Sequence, residues 1–372
     1  MKHIKGQNFE RMSMPNYDFI TIIRGIAALT VALGHIIGLV PPDHPSGNFF
    51  QVPIYEKLIW PVLFGREMVW IFIFISGFSL SNSIRIDFNS SLKIRVKNFY
   101  LRRFWRIVPT YYFGLLLGLI IVFFYNNFSG NTRPPSDSLL TFGPVNSAGF
   151  LSHLLLIHNL NPNWTHQLNP PLWTIGVEFQ LYFLLLPFFF KSGQKFLVPL
   201  SIVIIALIKV EMHVTNFTLF LYIEWFFAGV IFSVFFKKVS VSKSYLILPL
   251  IFIGLLAYSR LLIDIYLLYE LNWLIFTILF IFFLQTVSKK YSGFGGKILN
   301  LLLKIGKYSY SLYVVHFPIG LLSWMAISYL TSVRLYQLIG IILISIPMLV
   351  IITKFCYIKI EKPSLLKLRK IS

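Results

Sequence analysis

Acidic residues and cysteine are the two great scarcities of this sequence. Asp and Glu together number 13 in 372 residues, and all charged residues make up only 12% against 56% hydrophobic. So few charges cannot cover a water-facing surface, which excludes a soluble globular protein and a disordered one. The one cysteine, Cys356, excludes an intramolecular disulfide and a cysteine-rich metal site. It lies inside the last apolar run and reads as a packing or lipid-facing residue, and no metal site is expected. Period-two alternation, the mark of a membrane barrel, is missing. So is any internal repeat, which leaves an inverted-repeat transporter without support. The first apolar run has no small-residue cleavage site after it, so it reads as a retained helix and not a leader peptide.

What fills the chain instead is a series of apolar runs of about twenty residues, each able to span roughly 30 Å of hydrocarbon as a helix. Their approximate bounds are 18–40, 67–86, 109–128, 172–190, 196–212, 217–236, 245–262, 271–288, 308–330 and 336–358. The expected fold is therefore all-α: a polytopic integral membrane helical bundle of about ten transmembrane helices. The net charge of +20 does not point to nucleic acid, because Lys and Arg sit in short stretches between the runs. Clusters such as Lys93 to Arg106, Lys289 to Lys307 and Lys359 to Lys370 fall on alternate sides, which puts both termini in the cytoplasm. The whole chain, 1–372, then reads as one membrane domain. It has a cytoplasmic tail at 1–17, a long external loop at 129–171 and a second cytoplasmic tail at 359–372. A loop as long as 129–171 more often covers a site than links two helices. Residues 297–307 alternate Lys with Leu and Ile and are expected to lie along the inner interface.

Ionisable groups inside such runs are expensive, so each is a candidate for function. Arg24 and His35 are eleven residues apart, near three helical turns, and so share one face about 16 Å apart along the axis. Glu178 lies about two turns inside the fourth run, at a depth from which it would meet His35. A carboxylate beside an imidazole fixes its tautomer and raises its basicity, as a general base requires. The bland alternatives are a snorkelling Arg24 and a satisfied buried pair. In the second inner loop Arg103 and Arg106 carry planar forks that suit phosphate, whereas Arg102 reads as a head-group anchor. Ser76 and Gly77, at mid-membrane, permit close helix approach or leave room for a thin ligand. Tyr310, Tyr313 and His316 place hydroxyls and an imidazole in the inner half of the ninth run, where with Trp173 and Tyr182 they would line a polar path.

These residues resemble the acyltransferase-3 membrane proteins, a family that includes bacterial O-acetyltransferases of cell-surface polysaccharides. The resemblance rests on Arg24-Gly-Ile-Ala-Ala continuing to His35, on Phe74-Ile-Ser-Gly-Phe78, and on Arg103-Phe-Trp-Arg106 with Ile107 and Pro109. It extends to Leu172-Trp-Thr-Ile-Gly-Val-Glu-Phe-Gln-Leu-Tyr182, to Tyr308 through His316, and to Ile360-Glu-Lys-Pro363. It implies transfer of an acyl group, commonly acetyl, from cytoplasmic acyl-CoA to a hydroxyl of a glycan or lipid-linked saccharide outside a bacterial cell membrane. Many relatives carry a C-terminal extracytoplasmic hydrolase-like domain. None is expected in these 372 residues, so a separate acyl-delivery protein or direct transfer would have to serve.

The expected function is thus a membrane O-acyltransferase with acyl-CoA as co-substrate and no permanently bound cofactor. Arg103 and Arg106, with Ser76 and Gly77, would bind the donor. Arg24 would hold the donor or stabilise developing negative charge. His35 would act either as general base or as transient acyl carrier, with Glu178 orienting it. The rival readings are a proton-coupled transporter that uses the same buried groups, and a non-catalytic subunit of a polysaccharide assembly machine.

Overall fold

The computed structural model describes residues 18–40, 64–84, 91–128, 145–184, 201, 218–236, 266–288 and 294–368. Among these there is no strand, and the all-helical expectation holds. The long helices are α1 (Asp18–Gly38), α2 (Gly65–Ile84) and α3 (Leu92–Phe128). The segment that follows carries α4 (Ser147–Leu154), a 3₁₀ turn at His158–Leu160, α5 (Pro162–Thr165), a second 3₁₀ turn at Pro170–Leu172, and α6 (Trp173–Leu181). Then come α7 (Thr218–Phe235), α8 (Tyr266–Ser288), α9 (Phe294–Lys307), α10 (Ser309–Ser328) and α11 (Arg334–Cys356). A π-helical turn, Tyr357–Glu361, leads into α12 (Lys362–Leu368).

Five helical stretches among the described residues are long and apolar enough to cross a membrane: Asp18–Gly38, Leu92–Asn127, Tyr269–Thr286, Ser309–Ser328 and Arg334–Lys367. Their outward faces are apolar too. On α11 the exposed side chains include Leu335, Ile339, Leu343, Ile346 and Val350, and on α3 they include Tyr112, Leu116, Ile120 and Phe123. The spacing of three and four places each set in one stripe. Such stripes are stable only against hydrocarbon, so the protein is a membrane protein. The spans expected at 196–212 and 245–262 and the tail 1–17 lie outside the described residues, apart from Ser201 in the first of these.

Two boundaries differ from expectation. Helix α3 begins at Leu92, so Arg102, Arg103 and Arg106 stand on a helix that continues through Pro109 and not on a loop. Pro109 removes the helical donor of the Trp105 carbonyl, four residues before it; two residues before the proline the Tyr310 hydroxyl donates to the Ile107 carbonyl at 2.8 Å and ties α3 to α10. At the other end the chain stays helical beyond 358, the expected end of the last span, to Leu368.

Helix α1 is the hub, packed against α2, α8, α9, α10 and α11. It crosses α9 where Gly25 meets Gly306: a Cβ on Gly25 would lie 2.8 Å from the Gly306 nitrogen and from the Leu302 carbonyl oxygen. Two missing side chains let the backbones touch. This crossing sets the height of everything that follows, because α10 starts directly after it.

Candidate active site

Counting from the Gly25–Gly306 crossing, His35 is ten residues along α1 and His316 ten residues along the chain of α9 and α10. At the helical rise, both stand about 15 Å beyond it, and there they meet. His316 is therefore not a lower path residue, as its place in the run suggested, but the partner of His35. The His35 Nδ1 and His316 Nε2 lie 2.8 Å apart, with the rings nearly parallel at 7°. The Phe317 ring closes one edge of His35.

Proton positions in this pair follow from its third member. His316 Nδ1 is 2.7 Å from the Tyr313 carbonyl, which can only accept. Nδ1 of His316 therefore carries the hydrogen, and its Nε2 is left with a lone pair. That lone pair faces His35 Nδ1, which must in turn be the donor. In the neutral pair His35 is thus left with a bare Nε2. His316 is wholly buried, whereas His35 keeps part of its surface accessible.

The expected pairing of Glu178 with His35 is not what the structure shows. Glu178 Oε1 accepts from the Ser76 hydroxyl at 2.9 Å and from the Tyr182 hydroxyl at 2.7 Å. The physical reason is the depth at which α6 begins. Residues 166–172 dip into the bundle: the Tyr313 hydroxyl lies 2.7 Å from the Thr174 hydroxyl and donates to the Pro171 carbonyl at 3.3 Å. Helix α6 therefore starts level with Tyr313, not at a surface, and four residues carry Glu178 about 6 Å further from the histidines.

Glu178 belongs to a second group. Arg24 feels the charges of Arg106, Glu178 and Glu361, and Arg103 feels those of Arg106, Glu178 and Arg102. Yet neither Arg24 nor Arg106 makes a hydrogen bond or ion pair with any described residue; the ion pair of Arg66 with Glu67 lies elsewhere. Arg103 has its Nε buried without a partner, and its guanidinium stacks over Phe99 at 5.3 Å and Tyr182 at 5.8 Å. Enclosed guanidiniums are normally paired. Three of them close together have the charge and the donors that an anion requires.

Glu361 is a site residue that sequence reasoning passed over, although its motif was noticed. Its Oε2 accepts from the Ser311 amide at 3.2 Å and the Ser311 hydroxyl at 2.5 Å. Tyr308 occupies the N-cap of α10 without a side-chain cap bond, so Glu361 supplies from a distance the cap that α10 lacks. The π-helical turn aims it there; such turns recur at functional sites. Tyr310 and Tyr313 lie between the arginine group and the histidine pair on α10. Trp173 packs its ring on Tyr222 at 5.0 Å. Gly77 serves packing: a Cβ there would collide with the Phe226 carbonyl of α7.

The segment 145–172 lies over this arrangement. Pro318 has no amide hydrogen, so the Val314 carbonyl loses its helical donor. Asn169 replaces it, donating from Nδ2 to Val314 at 3.0 Å and to Gly114 at 3.1 Å. In the same segment His153 and His158 stack with centroids 4.1 Å apart. Burial holds His153, His158 and His166 below the usual imidazole range, against backbone contacts that pull the first two upward. No group of three or more metal-ligating side chains occurs among the described residues.

Comparison with known proteins agrees on one point of origin. The family described as "Acyltransferase domain", acyltransferase-3, matches residues 17–357. The peptidoglycan O-acetyltransferase OatA of Listeria monocytogenes serovar 1/2a (strain ATCC BAA-679 / EGD-e) is 28% identical over 116 residues, 30% of this chain and 18% of that protein. The chain thus aligns with less than a fifth of that relative's length. No solved structure matches.

Proposed function

The chain belongs to the acyltransferase-3 family, and from that premise we propose that it is a membrane O-acyltransferase. It moves an acyl group, acetyl in the simplest case, from acyl-CoA on the cytoplasmic side to a hydroxyl of a cell-surface glycan or lipid-linked saccharide. Similarity to a peptidoglycan O-acetyltransferase supports a saccharide acceptor. The observation that carries the reading is the histidine chain, Tyr313 carbonyl to His316 to His35, which leaves one basic nitrogen on a residue that keeps part of its surface accessible.

The chemistry divides between the two groups. Arg24, Arg103 and Arg106 lie at the Asp18 end of α1, the cytoplasmic end in this reading, and hold the phosphates of the donor. The thiol arm of CoA then extends along Tyr310 and Tyr313 toward His35, a distance of roughly 16 Å along α1. His35 Nε2 takes the proton of the acceptor hydroxyl as that oxygen attacks the thioester carbonyl. The carbon–sulfur bond breaks, the CoA thiolate leaves, and the proton on His35 returns to it. While His35 is charged, its Nδ1–H is held by His316 Nε2, so His316 orients the base and stabilises the imidazolium. Glu178 balances the arginine group and fixes Ser76 and Tyr182. The same bare Nε2 is also the nucleophile that a transient acyl carrier would use, and label trapped on the protein separates that role from the base.

Inverted membrane vesicles supplied with labelled acetyl-CoA test this. With the wild-type protein, free CoA is released and label enters a saccharide fraction; His35→Ala and His35→Gln each lower that transfer by roughly 10²- to 10⁴-fold at equal protein level. Wild-type rates in either variant would overturn the base role. Label retained on the protein in the absence of acceptor would replace it by the acyl carrier.

A further inference from the structure

A third histidine approaches the pair from the segment that covers it. His166 closes α5, three residues before Asn169. Asn169 is wholly buried and clamps the segment to Gly114 of α3 and Val314 of α10, two residues before His316. Leu168 between them takes a left-handed backbone with φ of 63°, which a leucine adopts only where its surroundings enforce it. The carbonyl of Leu168 and the Cβ of Asn169 fit against Gly118, where an added Cβ would come within 2.7 and 2.9 Å. The segment that carries His166 is thus fixed against α3 and α10 by hydrogen bonds, close packing and a strained turn. His166 lies within electrostatic reach of both His35 and His158.

The hydrogen bonding of His166 is incomplete. Its Nδ1 is buried and bonds to nothing in the protein, while the rest of the ring stays partly accessible. Of the other two histidines in this segment, His153 has both ring nitrogens on carbonyls, of Gly149 at 2.9 Å and Gln167 at 3.0 Å. His158 also has unpartnered ring nitrogens but is wholly buried, whereas His166 keeps part of its ring accessible, and an open polar atom on an accessible ring is normally filled by ligand or solvent.

We propose that His166 is an acceptor-binding residue. It hydrogen-bonds a sugar hydroxyl neighbouring the one acylated and so holds the acceptor within reach of His35 Nε2. A neutral imidazole, offering one donor and one acceptor nitrogen, suits a vicinal pair of sugar hydroxyls, which also donate and accept. The inference rests on the O-acyltransferase reading and adds the wall of the acceptor site opposite the donor. His166 takes no proton from the reacting oxygen; that step belongs to His35.

The test uses proteoliposomes of the full chain, labelled acetyl-CoA, and as acceptor the oligosaccharide mixture released from the native envelope by mild hydrolysis, varied in concentration. His166→Ala raises the apparent KM for the oligosaccharides at least about tenfold, as loss of a recognition hydrogen bond does, and leaves the KM for acetyl-CoA within about twofold. His166→Gln, which keeps a donor and an acceptor, restores part of the loss. Unchanged acceptor KM in both variants, or an equal fall in kcat with no change in either KM, overturns the proposal. Lower recovery of folded protein with normal kinetics in the folded fraction does so as well. If His35→Ala abolishes transfer while His166→Ala does not alter acceptor KM, this inference fails alone. If wild-type protein transfers no label to the mixture, the underlying reading fails with it.

Discussion

At the scale of single residues, the tautomer chain makes His316 more than a neighbour of His35. Without its Nε2 the His35 ring loses both the acceptor for Nδ1–H and the partner for its charged form. His316→Ala therefore lowers kcat at least about tenfold with little change in the KM for acyl-CoA, whereas Arg106→Ala raises that KM and spares kcat at saturating donor. Steady-state kinetics on both variants separate the two groups. Arg103→Lys behaves like a loss, because an ammonium cannot reproduce a planar fork stacked over Phe99 and Tyr182. Arg24 and His35 stood out in the sequence because charge inside an apolar run is rare, and Arg103 and Arg106 because their planar forks suit phosphate. The partner of His35 was not. Depth counted from helix ends assumes that helices start level, and the Gly25–Gly306 crossing and the inward dip of residues 166–172 both break that assumption.

At the scale of elements, segment 145–172 joins α3 and α10 through Asn169, which answers the carbonyl that Pro318 frees. Asn169→Ala leaves the buried Val314 carbonyl without a donor and costs about 1–3 kcal/mol, read as a lower thermal midpoint with the long helices still formed. The same segment is acid-sensitive. Burial lowers His153, His158 and His166 below the roughly 6.5 of a free imidazole. The opened segment thus binds more protons than the closed one once pH falls below that value. Closure is fully stable above about pH 6.5 and weakens as pH falls toward the depressed folded values. The hydrogen-exchange protection factors of residues 145–172, which already allow for the intrinsic slowing of exchange in acid, should fall between about pH 6.5 and 5; unchanged protection factors contradict the assignment. The boundaries of α1, α2, α10 and α11 could be read from hydropathy to within a few residues. Helix α3 could not, since its first turns are basic and helical only through packing against α6 and α12.

At the scale of the whole molecule, membrane character follows from composition, and the described helices bear it out with five spans and lipid-facing stripes on α3 and α11. The function follows from how two polar groups are spaced inside that shell. Open arginines stand at one level and a basic histidine nitrogen at another, roughly 16 Å apart along one helix. In the proposed reading that spacing lets donor and acceptor reach the bundle from opposite sides. The most direct measurement seals labelled acetyl-CoA inside proteoliposomes whose protein is oriented by selective capture of one terminus, with envelope oligosaccharide outside only. The account gives label in the outside saccharide and free CoA inside, both lost in His35→Ala. Transfer that occurs only when donor and acceptor share one compartment would contradict it.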